Sequence, residues 1–217
     1  MESFKILKVW YLLFSIPVLY ACGEQGADGN LPIMGEKEIV SIEKDGKTVT
    51  DTIYHKIPAF RFVDQDSVWI SNDDVADKIY LADFFFTRCP TICPLLAKNM
   101  LTIAKEFENE ERLVILSHTI DAKHDTPAVL KDYATKLGAP SNWHFLNGPK
   151  EAVYQIAGKE GYFSYAEENP DVPGGFDHSG AFTLVDTEGH VRGVYDGTRE
   201  DEANKAIADI RKLFAQF

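Results

Sequence analysis

The chain has 217 residues, with 22 basic and 34 acidic side chains, which gives a formal net charge of −12 at pH 7. So acidic a chain is poorly suited to nucleic acid or to anionic membrane surfaces, and we expect neither as a partner. The charge weakly favours a cationic or metal-carrying partner instead.

Residues 1–21 have the pattern of a secretory leader. Lys5 and Lys8 precede an apolar stretch of eleven residues, which is too short to span a bilayer core of about 30 Å. The stretch ends in Leu19-Tyr20-Ala21-Cys22, which resembles a bacterial lipobox and predicts a lipid on Cys22. An uncleaved membrane anchor is the alternative. Either anchor places the folded part in the cell envelope, on the periplasmic (outer) side of the inner membrane.

The remaining chain is predicted to form a tether and one domain. Removal of the leader leaves 20 basic and 33 acidic residues, a net charge of −13. Residues 22–38 are polar and glycine-rich, which is typical of a flexible tether. Residues 39–217 are long enough for one domain with a sizeable core. With Cys22 assigned to lipidation, two cysteines remain for chemistry.

Two hairpins open the domain. Short β-rich segments flank Lys44-Asp45-Gly46 in the first, and Asp64-Gln65-Asp66 in the second. The next segment, residues 79–86, is apolar and aromatic and predicts a buried strand. A helical face of apolar side chains at spacings of four, three and four follows it: Leu96, Met100, Ile103 and Phe107.

Cys89 and Cys93 lie at the connection between this strand and the helix. The amides and the positive dipole end of a helix start stabilise a thiolate. If both cysteines stood in the first turn, their Cβ atoms would be about 5–6 Å apart. A disulfide needs about 3.5–4.5 Å, so the turn would have to open and the bond would be easily reduced. The spacing suits a soft metal site that can also oxidise.

The rest of the chain alternates strands and helices. A strand is predicted over residues 112–119, a helix over 127–137 with Thr126 as N-cap and Gly138 as its stop, a strand over 143–146 and a helix over 150–157. An irregular insertion, residues 158–175, precedes a hairpin over 181–195. A capping box, Thr198 to Asp201, opens the last helix, with the core face Ala203, Ile207, Ile210, Phe214 and Phe217.

This order predicts an α/β sheet covered on both faces. A cysteine pair between the first core strand and its helix is the thioredoxin arrangement, here with an N-terminal β-hairpin extension and an insertion before the C-terminal hairpin. Two thiolates alone provide too few ligands for a copper or zinc site. Of the six histidines, only His178 is clearly placed to reach both sulfurs, because in such a fold the loop before the last hairpin packs against the cysteine turn.

The motifs resemble those of the Sco/SenC family, copper-binding proteins that help to assemble cytochrome c oxidase. The resemblance covers residues 58–217 and is strongest at Thr87-Arg88-Cys89-Pro90-Thr91-Ile92-Cys93-Pro94. Three further segments match in order: Asp121 to Pro127, Trp143 to Gly148, and Asp177-His178-Ser179 before Phe182 to Asp186. Ala122 and His124 depart from the family's usual Pro and Arg. The resemblance implies that Cys89, Cys93 and His178 are copper ligands.

Asp83 is unexpected in an otherwise apolar strand, six residues before Cys89. Thioredoxins carry a buried acid at that offset, which serves proton transfer to and from the resolving thiol. A carboxyl buried among Phe and Leu should have a raised pKa, suited to a general base. The alternative is an Asp that faces solvent or hydrogen-bonds a neighbouring backbone group.

Two functions therefore remain open. The first is a carrier that holds Cu(I) or Cu(II) and passes it to a copper-acceptor subunit of cytochrome c oxidase. The second is a membrane-anchored thiol–disulfide oxidoreductase that uses Cys89, Cys93 and Asp83 to reduce cysteines of a client. Zinc in a structural role is a weaker option, because a Cys₂His set leaves the site open. A peroxiredoxin-like activity is disfavoured by the closeness of the two cysteines.

Overall fold

The computed structural model describes residues 30–44 and 46–216, which form eleven strands and four α-helices. In chain order these are β1 (Lys37–Lys44), β2 (Lys47–Tyr54), β3 (Arg61–Val63), β4 (Trp69–Ser71), β5 (Ile79–Phe85), α1 (Cys93–Glu106), β6 (Leu113–Thr119), α2 (Pro127–Leu137), β7 (Trp143–Leu146), α3 (Lys150–Ala157), β8 (Ala166–Glu168), β9 (Phe176–His178), β10 (Ala181–Val185), β11 (Val191–Asp196) and α4 (Glu200–Phe214). A short 3-10 turn, Asn72–Asp74, follows β4.

The central sheet has five strands in the order β11-β10-β5-β6-β7. Strands β5, β6 and β7 are parallel, and β10 runs antiparallel to both β5 and β11. Every residue of β5 and β6 is buried, as expected for strands covered on both faces. Phe84 packs towards Tyr162 on one face, and Phe85 towards Tyr133 of α2 on the other. The predicted α/β, thioredoxin-like architecture is confirmed.

The predicted limits of α2, β7 and α3 are confirmed residue for residue. Local signals at both ends explain this for α2. Pro127 occupies the first helical position, and Gly138 ends the helix at φ +70°, in the left-handed region that favours glycine. Thr126 is the N-cap, although its side chain makes no capping hydrogen bond.

Both N-terminal hairpins are confirmed as β1–β2 and β3–β4. A single antiparallel bridge between Val63 and Asn147 joins β3 to the residue that follows β7. The division into leader, tether and domain stays a prediction, and the leader with Cys22 lies outside the described residues. Within the predicted tether, Met34 N–H donates to Val191 O at 2.8 Å. The Arg192 guanidinium also donates to Pro32 O at 3.1 Å, so the chain contacts the sheet before β1 begins.

The insertion over residues 158–175 is more ordered than expected. It contains β8, which pairs antiparallel with β9 and sets Ala166 opposite His178. Gly174, at φ +93°, lies so close to the cysteine turn that a Cβ atom there would be 2.8 Å from the Phe86 ring. The prediction of an irregular segment holds except for β8, a three-residue strand that has no apolar alternation.

The predicted capping box of the last helix is also wrong. Arg199 is the N-cap of α4, and the Thr198 hydroxyl donates to Asp196 Oδ1 at 2.6 Å. The nearby Asp196 carboxylate competes successfully for the hydroxyl, while the Asp201 carboxylate accepts from Arg199 at 3.0 Å. The core face holds for Ala203, Ile207, Ile210 and Phe214, which are buried or pack against the core. Phe217 lies outside the described residues.

Candidate metal and thiol site

The two cysteines lie on the turn between β5 and α1, and only Cys93 is helical. The N–H of Cys89 donates to Phe86 O at 3.2 Å, before the helix begins. The expectation that both cysteines could stand in the first helical turn is wrong, because Ile92 is the N-cap of α1 and Cys89 lies three residues before it. Cys89 can therefore approach the Cys93 sulfur without distortion of α1.

Both sulfurs and one imidazole nitrogen form a single cluster. Donor atoms of Cys89, Cys93 and His178 all lie within 4.8 Å of one another, and Cys93 Sγ is 3.3 Å from His178 Nε2. Two donors bound to one metal at about 2.0–2.3 Å each can be at most about 4.6 Å apart, so small movements suffice for shared coordination. Within residues 30–44 and 46–216, no other group of three His, Cys, Asp or Glu meets this criterion. The predicted ligands are thus brought together.

Strand β9 delivers His178 to the cysteines in a defined tautomer. The ring is buried, and Nδ1 lies 3.0 Å from Ser179 O. A carbonyl oxygen can only accept, so Nδ1 carries a hydrogen. In the neutral ring, Nε2 then turns its lone pair towards the sulfurs, as a metal ligand requires.

The pair of thiols shares one negative charge unequally. Hydrogen bonding from the Cys93 thiol lowers the pKa of Cys89 to about 3, against the opposing effect of burial. The same interaction, together with burial, raises the pKa of Cys93 above its usual range. Cys89 is half-buried and Cys93 buried. Cys89 is consequently the accessible thiolate, and Cys93 keeps its proton.

Asp83 is buried, 4 % exposed, and does not face solvent. Its carboxylate accepts a hydrogen bond from the Ser117 hydroxyl, which itself accepts from Trp143 Nε1 at 2.8 Å. Because Trp143 can only donate, the Ser117 proton is directed to Asp83. Burial raises the pKa of Asp83 to about 6, although the Ser117 hydrogen bond opposes the rise. Asp83 can therefore exchange a proton near neutral pH.

An acidic loop, residues 121–125, holds the start of the cysteine turn. The buried Asp125 carboxylate accepts from Thr87 N at 3.0 Å and from the hydroxyl of Thr119 at 2.5 Å. Asp121 forms a 2.6 Å ion pair with Arg88. Together these contacts fix the two residues immediately before Cys89, so the loop supports the turn without contributing a donor to the cluster.

Two residues of the Asp83 network were not predicted as site residues. Ser117 is a polar residue in a buried strand, at the register position opposite Asp83, and Trp143 opens the neighbouring strand. A polar side chain in each of two adjacent apolar strands was the only signal in the sequence, and strand register was needed to pair them.

The chain is similar in sequence to known proteins. The sequence model of the SCO1/SenC family matches residues 48–215. The SCO1 protein homolog of Bacillus subtilis (strain 168) is 29% identical over 169 residues, which cover 76% of this chain and 86% of that protein.

Two solved structures are similar over most of their length. The crystal structure of a SCO1/SenC family lipoprotein from Bacillus anthracis matches with a TM-score of 0.67 and 28% identity, over 73% of this chain and 95% of that one. BsSco, described as a member of the Sco family of cytochrome c oxidase assembly proteins with a disulfide switch, matches with a TM-score of 0.64 and 26% identity, over 75% and 95%.

Proposed function

The chain belongs to the SCO1/SenC family, and from that premise we propose that it binds one copper ion through Cys89, Cys93 and His178. In this proposal the copper is cargo, delivered to a cytochrome c oxidase or used to mature its dinuclear copper site. The observation that carries the proposal is the cluster of two sulfurs and one imidazole nitrogen within 4.8 Å.

The donor set suits copper better than zinc. Thiolates are soft ligands that favour Cu(I), and the imidazole accommodates Cu(II) as well. The low pKa of Cys89, about 3, provides one thiolate before any metal arrives. A structural zinc site usually takes four protein ligands, and the part of the chain described supplies three.

The recipient is inferred from relatives and from chemistry. BsSco is described as one of a family of cytochrome c oxidase assembly proteins, and the motifs around Cys89 and His178 resemble that family. A recipient must present thiols or imidazoles that compete for copper, which a copper-acceptor subunit of the oxidase would do.

The proposal is tested by copper titration of the purified, reduced protein. We expect one copper ion per chain and sulfur-to-Cu(II) charge-transfer absorption, lost in Cys89→Ser and in Cys93→Ser. His178→Ala should weaken Cu(II) more than Cu(I), since Cu(I) can remain on two thiolates. His124→Ala, outside the cluster, is the control. Equal Cu(II) affinity in His178→Ala and the parent would refute the ligand assignment.

A second function, thiol–disulfide reduction of a client, is favoured by Asp83. A copper carrier needs no acid inside its central strand, and burial of a carboxyl is costly. A reductase needs a group that takes the proton of the second thiol as the mixed disulfide resolves. Cys89 as the low-pKa thiolate, Cys93 as the protonated partner and Asp83 with a pKa of about 6 have the properties of those three roles. The two functions are compatible, because copper delivery requires reduced thiols in the acceptor.

Attachment to the cell envelope is proposed to depend on a lipid on Cys22. The lipobox-like sequence supports it, as does the similar protein from Bacillus anthracis, which is named a lipoprotein. None of the described helices is long and apolar enough to cross a bilayer. Fractionation of cells that express Cys22→Ser provides the test. Release of the variant from membranes is expected, whereas retention would favour an uncleaved anchor.

A further inference from the structure

An apolar groove of about 430 Å³ begins at the two cysteines and runs between α1 and α2. Beyond the sulfurs it is lined mainly by Pro94, Ala97, Leu101, Tyr133 and Leu137. Metal binding uses only the sulfurs at its mouth, and the acidic loop supports the turn from elsewhere. The apolar walls therefore have no role in the site as described so far.

Lys98 is the one basic residue in this lining. It is exposed and makes no ion pair with any residue that the structure describes. On the neighbouring α2, by contrast, Lys131 and Lys136 pair with Asp66 and Asp132 at 2.5 and 2.6 Å. An unmatched ammonium thus stands at the rim of an apolar groove on a strongly acidic protein.

The opposite flank of the site has the reverse charge. The depression on the His178 side has Asp177 and Asp196 in its lining, and neither lysine nor arginine. A segment that carries a carboxylate would be repelled from that flank and attracted to Lys98. Charge therefore favours the approach of an acidic partner to the cysteines from the Lys98 side.

We propose that the groove is the docking surface for an extended client segment whose cysteine is flanked by apolar side chains and by a carboxylate that pairs with Lys98. The proposal rests on the proposed thiol function and adds the sequence class of the client. A volume of about 430 Å³ is within the usual range for pockets that bind small molecules.

The reaction at the mouth of the groove balances without a further reagent. The Cys89 thiolate attacks one sulfur of the client disulfide, which forms a mixed disulfide and releases one client thiolate. Cys93 then loses its proton to Asp83 and attacks the Cys89 sulfur, which releases the second client thiolate. The client gains two electrons, and the protein is oxidised to the Cys89–Cys93 disulfide in a single turnover.

The test uses two synthetic disulfide peptides that are apolar except for one Asp in the first and one Lys in the second. Single-turnover reduction by the full, pre-reduced chain is compared with reduction of hydroxyethyl disulfide, which is too small to need the groove. Lys98→Glu should slow reduction of the Asp peptide about 10-fold, accelerate that of the Lys peptide, and leave hydroxyethyl disulfide unchanged. Leu101→Ser should slow both peptides about 10-fold.

Matched controls lie on the same helix. Lys105→Glu, two turns further along α1 from the thiols, and Leu95→Ser, exposed outside the groove, should leave all three rates unchanged. Equal effects of Lys98→Glu and Lys105→Glu, or of Leu101→Ser and Leu95→Ser, would overturn the proposal. So would an effect of Lys98→Glu on hydroxyethyl disulfide as large as that on the Asp peptide.

Binding separates this inference from the proposed function. NMR titration of the labelled chain with the Asp peptide, its cysteines replaced by serine, requires no thiol chemistry. Shifts confined to the amides of Ala97, Leu101 and Tyr133 would support the groove even if no disulfide is reduced. Shifts around Asp177 and Asp196 instead would place the client on the other flank and overturn it.

Discussion

Asp83 on β5 and His118 on β6 are both buried in the central sheet, but on its opposite faces. Strand pairing sets Asp83 opposite Ser117 and Phe84 opposite His118. Asp83 is hydrogen-bonded by Ser117 on the face that carries the thiols. His118 is fully buried, and neither ring nitrogen has a hydrogen-bond partner among the described residues.

The surroundings of the two side chains explain their different states. The His118 ring stacks on Phe84 at 5.2 Å and lies near Phe62 and Tyr162, and this desolvation lowers its pKa to about 3. Burial instead raises the pKa of Asp83 to about 6. Each shift favours the neutral form. Only the thiol face combines a titration near neutral pH with a neighbouring reactive group.

The largest expected effect is on thiol–disulfide exchange. Asp83→Asn should slow reduction of hydroxyethyl disulfide at pH 7 about 100-fold, because general acid–base groups contribute factors of that order. In the parent, the rate should rise through pH 6 as Asp83 ionises, and this limb should vanish in Asp83→Asn.

His118→Leu, on the opposite face, is the control and should leave exchange unchanged. Copper affinity should change less than about 3-fold in Asp83→Asn, because Asp83 is not a proposed ligand. Exchange kinetics in Asp83→Asn that match the parent from pH 6 to 9 would remove the reductase function and leave the copper carrier.

The next effect is on stability. The folded-state pKa of Asp83 is about 6, above the unfolded value of about 3.9. Asp83 therefore contributes most to stability below pH 4, and this contribution is lost as pH rises through 6. Asp83→Leu should therefore raise the free energy of unfolding by about 2 kcal/mol at pH 7, and by about 1 kcal/mol less at pH 5. Urea denaturation at both values measures this. An equal gain at both would show that Asp83 has an ordinary pKa.

His118 should give stability the opposite dependence on pH. Its folded-state pKa, about 3, is below the unfolded value of about 6.5, so stability is lost as pH falls below 6.5. Between pH 7 and 5 this loss is about 2 kcal/mol, and His118→Leu should remove it. Phe84→Leu, which removes the ring stacked on His118, should destabilise the fold at both pH values, and less at pH 5 because the imidazole is then less desolvated. A parent-like acid slope in His118→Leu would contradict the assignment.

The sequence predicted the thiol face well and the opposite face poorly. Cys89, Cys93 and Asp83 stand in one continuous segment, and the order of elements was enough to bring His178 to them. The position of His118 depends on strand register and on aromatic rings from distant segments, including Phe62 and Tyr162, which no local pattern connects. Strand β8 was not predicted for the same reason. It is a strand because it pairs with β9, and its own composition does not indicate one.

The ends of helices were also predictable only where local residues determine them. Pro127 and Gly138 fix α2 through their own backbone preferences, so its ends were predictable. The start of α4 depends on competition for the Thr198 hydroxyl, and the geometry of the cysteine turn depends on support from the acidic loop. Both features depend on which of several possible contacts is more stable, and a sequence pattern does not show that.

X-ray absorption spectroscopy of the one-to-one Cu(II) complex tests the central claim most directly. We expect a first shell that contains two sulfur atoms and the imidazole nitrogen of His178. In His178→Ala the two sulfurs should remain and the imidazole signal should disappear. A shell with fewer than two sulfurs in the parent, or an imidazole signal that persists in His178→Ala, would contradict the assignment of Cys89, Cys93 and His178 as the copper ligands.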